Sequence, residues 1–225
     1  MHFVTKIHPN LLPSKTGPAA TMRGRRSPQP IHLRQSELDG ACGPHCIFMA
    51  LLALGMVSRE WLTLDKPAAR TGQLRNVWRR AARSFLYGTS VGELAKLLQP
   101  LHRHVTIQIS KASHAAVLSF VLDNLSREQL VIAGIASAKH RLDHWVLAVG
   151  VAGMQERDQW SAQRLLLLDS NHEPIPMLQW NAMLTVSAHR PRGRARLWMT
   201  SDGRVIPVTL HHALAVARRE PDRGR

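Results

Sequence analysis

The sequence predicts an α+β fold, with helices gathered in the first half of the chain and strands in the second. Helical spacing governs most of Gly43 to Leu125, and apolar, β-branched runs govern Leu130 to Leu210. The two kinds of segment do not alternate strictly, as they would in a doubly wound parallel sheet.

Residues 1 to about 30 carry five prolines and no sustained period, so a poorly ordered basic arm is expected there. The folded domain is expected over 31–215, and a basic tail over 216–225. Gly43 to Gly55 reads as a helix, with Pro44 tolerated in the first turn and Gly55 as the stop. Its apolar character nearly all round suits a central helix packed on several sides. A second helix is predicted from Gly72 to about Phe85, with Leu74, Val77, Trp78 and Ala81 at helical spacing. A third starts at Ser90, whose pairing with Glu93 is a capping box, and runs through Leu94, Leu97 and Leu98. A fourth spans Ala115 to Leu125.

Val105 to Ile109 alternates as a strand does. Leu130 to Ile135, Trp145 to Val151 and Leu165 to Leu168 are short apolar runs of the same kind, and polar Gln155 to Gln163 reads as a long hairpin loop. Arg196–Met199 and Val205–Leu210 form a last hairpin around Asp202-Gly203. His211 and His212 fall in a C-terminal helix pattern and are expected in solvent. Trp61, Trp78 and Trp180 are expected to pack the core.

The 225 residues suit one domain. No run of about 18 apolar residues exists, which argues against a membrane-spanning helix. Lys6, Pro9 and Pro13 interrupt the start, which argues against a secretory signal; the cytoplasm is the expected location. Cys42 and Cys46 are too few for a disulfide framework and read as free thiols. The net charge of +15 favours acidic partners, nucleic acid among them. Much of it is Arg23, Arg25 and Arg26, Arg190 to Arg196, and Arg218 to Arg225, all among Pro, Gly and other breakers, so it reads mainly as solvated charge.

Three segments carry chemistry. Cys42 opens a helix, where the dipole and unpaired backbone N–H groups favour a thiolate. Gln35, seven residues upstream, offers a side-chain amide that could join the Cys42 N–H as an oxyanion hole. His144 opens an apolar strand, where its ring can reach a cleft at the sheet edge and act as general base. Asp169 ends the next strand and can orient that histidine, with Asn171 as the alternative orienter. Cys46, inside the apolar helix, reads as core. A zinc site on Cys42, His45 and Cys46 lacks the usual spacing and a second ligand pair.

The order Gln35, Ala41-Cys42-Gly43, Gly88-Thr89-Ser90, His144-Trp145-Val146 and Leu168-Asp169 resembles the papain-like cysteine peptidase superfamily. Within it, the chain looks like the peptidases that trim double-glycine leaders from bacteriocins, over roughly Gln35 to Trp180. Ala41 stands where the family often has Asp, Ser170 where it has Pro, and Gln35 lies one residue further from the cysteine. The resemblance implies a helical half headed by Cys42 and a twisted antiparallel half carrying His144 and Asp169. It also implies a Cys-His-Asp triad assisted by Gln35, a peptide or protein substrate, no cofactor and no metal. No transporter segment follows, so a free-standing bacterial relative is expected. Rival readings are an acyltransferase with the same triad and a catalytically silent basic binding module; the oligomeric state stays open.

Overall fold

The apolar runs after Leu130 become strands because they are β-branched, short and buried on both faces, a pattern that a sheet closed on itself can satisfy. In the computed structural model, residues 1–21, 27–36, 40–62, 72–83, 88–157, 159–187 and 194–219 are described. The strands in chain order are β1 (His2–Ile7), β2 (Leu11–Ser14), β3 (Gly17–Ala20), β4 (Gln29–Pro30), β5 (Val105–Ser110) and β6 (Leu130–Ser137). There follow β7 (Leu142–Glu156), β8 (Gln159–Leu168), β9 (Ala182–Thr185), β10 (Arg196–Thr200) and β11 (Val205–Arg218). The helices are α1 (Cys42–Ala53), α2 (Arg59–Leu62), α3 (Gly72–Ala82), α4 (Val91–Leu98) and α5 (His114–Ser126).

The order β7-β6-β11-β10-β9-β8, with β8 pairing back onto β7, makes an antiparallel barrel. β1 extends the sheet beside the far half of β7, and β5 extends it beside the C-terminal half of β11. The fold is thus mixed helix and sheet, with a strand-rich barrel. Two cores follow from strand alternation. Val131, Ala133, Ile135, Val146, Ala148, Leu165, Leu167, Leu184 and Leu210 fill one with Val117 and Val121 of α5. Leu130, Ile132, Leu147, Val149, Leu166, Leu214 and Val216 face the other, against α1, α3 and α4.

α1 lies in that second core, with every residue but His45 buried. Phe48 packs on Trp61 and Trp78 at ring-centroid distances of 6.5 and 5.3 Å. Each fully buried Leu or Ile contributes about 1.5–3 kcal/mol, so a helix without a polar face holds firmly only where it is covered on all sides. α4 starts with the predicted capping box: the Glu93 N–H donates to Ser90 Oγ at 3.3 Å, and the Ser90 N–H donates to Glu93 Oε2 at 2.7 Å.

The expected poorly ordered arm is a correction. β1 pairs β7 from His2↔Gln155 to Ile7↔Gly150, and β2, β3 and β4 form a small sheet. Leu11, Ala20 and Ile31 join the core around α1. Pro13 and Pro18 face each other across β2 and β3, a short sheet in which their missing N–H groups are tolerated. Sequence periodicity missed these strands because they are short and the partner of β1 is far away in the chain.

Gln155 to Gln163 is not a long loop. Glu156 pairs Gln159, and β7 and β8 continue to a tight turn in which Arg157 has φ of +49°. The residues are polar because this end of the hairpin is largely exposed. His211 and His212 lie in strand β11, not in a helix: His212 pairs Gly134 of β6, His211 sits in a bulge of that ladder, and from Ala213 onward β11 also pairs β5. The expected tail from residue 216 starts later: Val216, Ala217 and Arg218 pair with β5. The second helix ends at Ala82, and its expected end at Phe85 lies outside the described residues, as do Arg23, Arg25, Arg26, Arg190, Arg192, Arg223 and Arg225. Among the described residues no helix is long and apolar enough to cross a membrane.

Candidate active site

The N-terminus of α1 points Cys42 toward the start of β7 and the end of β8. Cys42 is the first residue of α1, and its N-cap is Ala41, whose own side chain makes no capping hydrogen bond. Gly43 must be glycine here: a Cβ would lie 2.2 Å from Thr89 Oγ1 and 2.8 Å from Leu94 Cδ2. The Trp145 indole N–H donates to the Thr89 carbonyl at 2.8 Å, which ties the segment before α4 to β7.

His144 is buried at 3% exposure, opposite Ile135 of β6. Its Nε2 donates to Asp169 Oδ1 at 2.8 Å. Cys42 lies close enough to act on the ring electrostatically. With Nε2 committed to the carboxylate, Nδ1 is the nitrogen left to face the thiol. Trp198 lies against the ring at a centroid distance of 5.9 Å.

The electrostatics favour the charged pair. Burial disfavours an imidazolium, but Asp169, through charge and hydrogen bond, and the Cys42 side chain together carry the His144 pKa up to about 10. Burial likewise works against charge on Asp169. The His144 charge and hydrogen bond, the Asn171 N–H and the charge of His172 hold its carboxyl below the ordinary carboxylate range.

Asp169 is fully buried and held from several sides. Its N–H donates to Asn181 Oδ1, and its carbonyl accepts from Asn181 Nδ2, both at 2.8 Å. His32 Nε2 lies 2.9 Å from the same carbonyl. Oδ1 also accepts the Asn171 N–H at 2.9 Å, while Oδ2 has no hydrogen-bond partner and lies 3.9 Å from His172 Nε2. Asp169, not Asn171, therefore bonds His144, and Asn171 meets Asp169 through its backbone.

Gln35 is buried beside this turn. Its N–H donates to the Ser170 carbonyl at 2.8 Å, and Ser170 Oγ donates to Gln35 Oε1 at 3.0 Å. Ser170 thus grips the Gln35 oxygen and fixes which end of the amide is the donor. Arg34 donates to the Ser170 carbonyl at 3.1 Å and pairs with Glu173 at 3.0 Å. A cavity of about 940 Å³ opens beside Gln35, Asn171, His172 and Trp198.

The other residues near Cys42 face elsewhere. The Cys46 thiol donates to the Trp145 carbonyl at 3.4 Å, and burial pushes its pKa well up. His45 Nδ1 turns back to the Ala41 carbonyl at 2.8 Å. Sequence reasoning missed His32, His172 and Asn181. None sits in a motif, and only the spacing of His172, three residues after Asp169, gave any signal.

The raised His144 pKa makes a stability prediction. A group whose folded pKa exceeds its unfolded value stabilises the fold fully below the unfolded pKa and loses that contribution as pH rises through the folded one. The unfolding midpoint should decline between pH 6.5 and about 10. Thermal melts of wild type and His144→Gln across that window test this: the substitution should flatten the decline, and parallel curves would refute it.

No protein-family model matches the chain, and no curated protein matches it in sequence. Among solved structures, UfSP from C. elegans is similar at a TM-score of 0.40 and 12% identity. The match covers 93% of this chain and 34% of that one, so this chain spans about a third of its length.

Proposed function

We propose that this protein is a papain-like cysteine hydrolase that cleaves a peptide or isopeptide bond, with Cys42 as nucleophile and His144 as base. One observation carries the reading. A buried histidine is bonded to a buried carboxylate at 2.8 Å and lies within electrostatic reach of a cysteine at a helix start. Such a carboxylate fixes the tautomer of the ring and stabilises its charged form, which is the partner a thiolate requires.

In the proposed reaction the Cys42 sulfur attacks the amide carbonyl. The oxyanion is met by the Cys42 backbone N–H and by Gln35 Nε2. His144 gives its proton to the leaving amine, then takes one from the water that hydrolyses the thioester. Asp169 orients the ring throughout, and Asn181 and His32 hold the backbone of Asp169.

The test is competitive labelling of the folded protein with iodoacetamide, followed by peptide mapping. Cys42 should alkylate faster than Cys46 by about two orders of magnitude, because Cys46 is fully enclosed and its thiol is held on a carbonyl. Thiol-dependent hydrolysis of a fluorogenic peptide should vanish in Cys42→Ala. Equal labelling of the two cysteines, or preference for Cys46, would remove the basis for the assignment.

A further inference from the structure

At the end of the barrel away from His144, β5 is an edge. It pairs β11 from Val105↔Arg218 to Ser110↔Ala213, and no described strand pairs its other side. Exposed edges are usually blunted by charge, proline or a bulge. β5 instead carries Ile107 and Ile109, 37% and 42% exposed. By strand alternation they share the face of Val105, which lies in the core with Leu214 and Val216.

A cavity of about 960 Å³ runs alongside, between β5 and the C-terminal ends of α3 and α4. Arg80, Arg83, Lys96 and Arg219 line it, and all are exposed. Among the described residues none of the four lies within ion-pair distance of a carboxylate. The carboxylate in the lining, Glu93, is committed to the Ser90 N–H and hydroxyl at 2.7 and 2.8 Å. The groove therefore combines an open row of backbone donors and acceptors, exposed aliphatic side chains and four cations against the single carboxylate of Glu93.

We propose that this edge takes up an extended acidic peptide segment as an added strand. Its backbone pairs with β5, its apolar side chains lie on Ile107 and Ile109, and its carboxylates meet the four cations. A phosphate backbone would leave the strand groups of β5 unpaired, and among the described residues no Trp, Tyr or Phe lines the groove to stack a base. The site is separate from Cys42. Leu210 of β11 stands at the level of Ile135 and His144, whereas Val216 stands at Ile107. At about 3.3 Å per residue the two levels are roughly 20 Å apart.

Fluorescence anisotropy tests this with three dye-labelled probes: an alternating Glu-Val peptide, an alternating Lys-Val peptide and a single-stranded DNA of matched charge. The acidic peptide should bind the wild type best. The double substitution Arg80→Glu with Lys96→Glu should weaken it by about tenfold or more, an effect that shrinks with added salt. Ile107→Asp should weaken it as well. Unchanged circular dichroism and Cys42 alkylation in each variant establish that the fold survives. No binding of the acidic peptide, equal binding of the Lys-Val peptide, tighter binding of DNA, or indifference to both substitutions would overturn the proposal.

Discussion

His144→Gln should slow both Cys42 alkylation at neutral pH and any peptide hydrolysis by about three orders of magnitude, with the chain still folded. Glutamine is the informative replacement. Alanine would strip Asp169, buried at 0% exposure, of its imidazole donor on Oδ1 and leave the Asn171 N–H there. Removing one partner of a buried ion pair costs about 3–5 kcal/mol, so a loss of activity in His144→Ala could reflect unfolding. A glutamine amide can still donate to Asp169 but cannot exchange a proton with sulfur. Asp169→Asn should cost less than His144→Gln, because the orienter acts only through the ring. Asn171→Ala should change little, since its contact with Asp169 is through the backbone. Stopped alkylation assays with melting curves check all three, and a larger loss in Asn171→Ala than in Asp169→Asn would move the orienting role to Asn171.

Deleting residues 1–20 should leave the chain insoluble or molten. β1 covers the edge of β7 between Gly150 and Gln155, and its removal exposes six backbone pairings. β2 and β3 carry buried Leu11, Ala19 and Ala20 over α1, and Asn10 Nδ2 donates to the Ala53 carbonyl at the end of that helix, at 3.2 Å. Losing these contacts removes several kcal/mol from a fold whose total stability is on the order of 5–15 kcal/mol. Urea unfolding of the truncated chain beside the full chain measures the effect. An unchanged midpoint would mean that the N-terminal sheet contributes nothing to the core. The expectation of a poorly ordered arm rested on prolines and the lack of a sustained period, and both are compatible with short strands that a distant partner completes.

Helices α1, α3, α4 and α5, and the strand runs that start at Val105, Leu130, Trp145, Leu165, Arg196 and Val205, were legible in the sequence because each has a local cause. Ser90 and Glu93 cap their own helix, Pro44 fits a first turn, and the runs at Leu130, Trp145 and Leu165 are apolar over the length of a strand. Cys42, His144, Asp169 and Gln35 were legible as residue types at fixed spacing; the structure bonds His144 to Asp169, leaves Cys42 within electrostatic reach of that ring and sets Gln35 on the neighbouring Ser170.

What sequence could not supply depends on partners remote in the chain. Barrel closure needs β8 to return to β7, β1 needs β7, and the placement of His211 and His212 in a strand needs β6 beside them. The choice of Asp169 over Asn171, the grip of Ser170 on Gln35, and the hold of Asn181 and His32 on the Asp169 backbone are likewise decided by distance. A sequence states which groups can donate, accept or carry charge. Only the folded chain sets which of them stand within about 3 Å of each other, and hydrogen bonds and charge pairs are decided at that range.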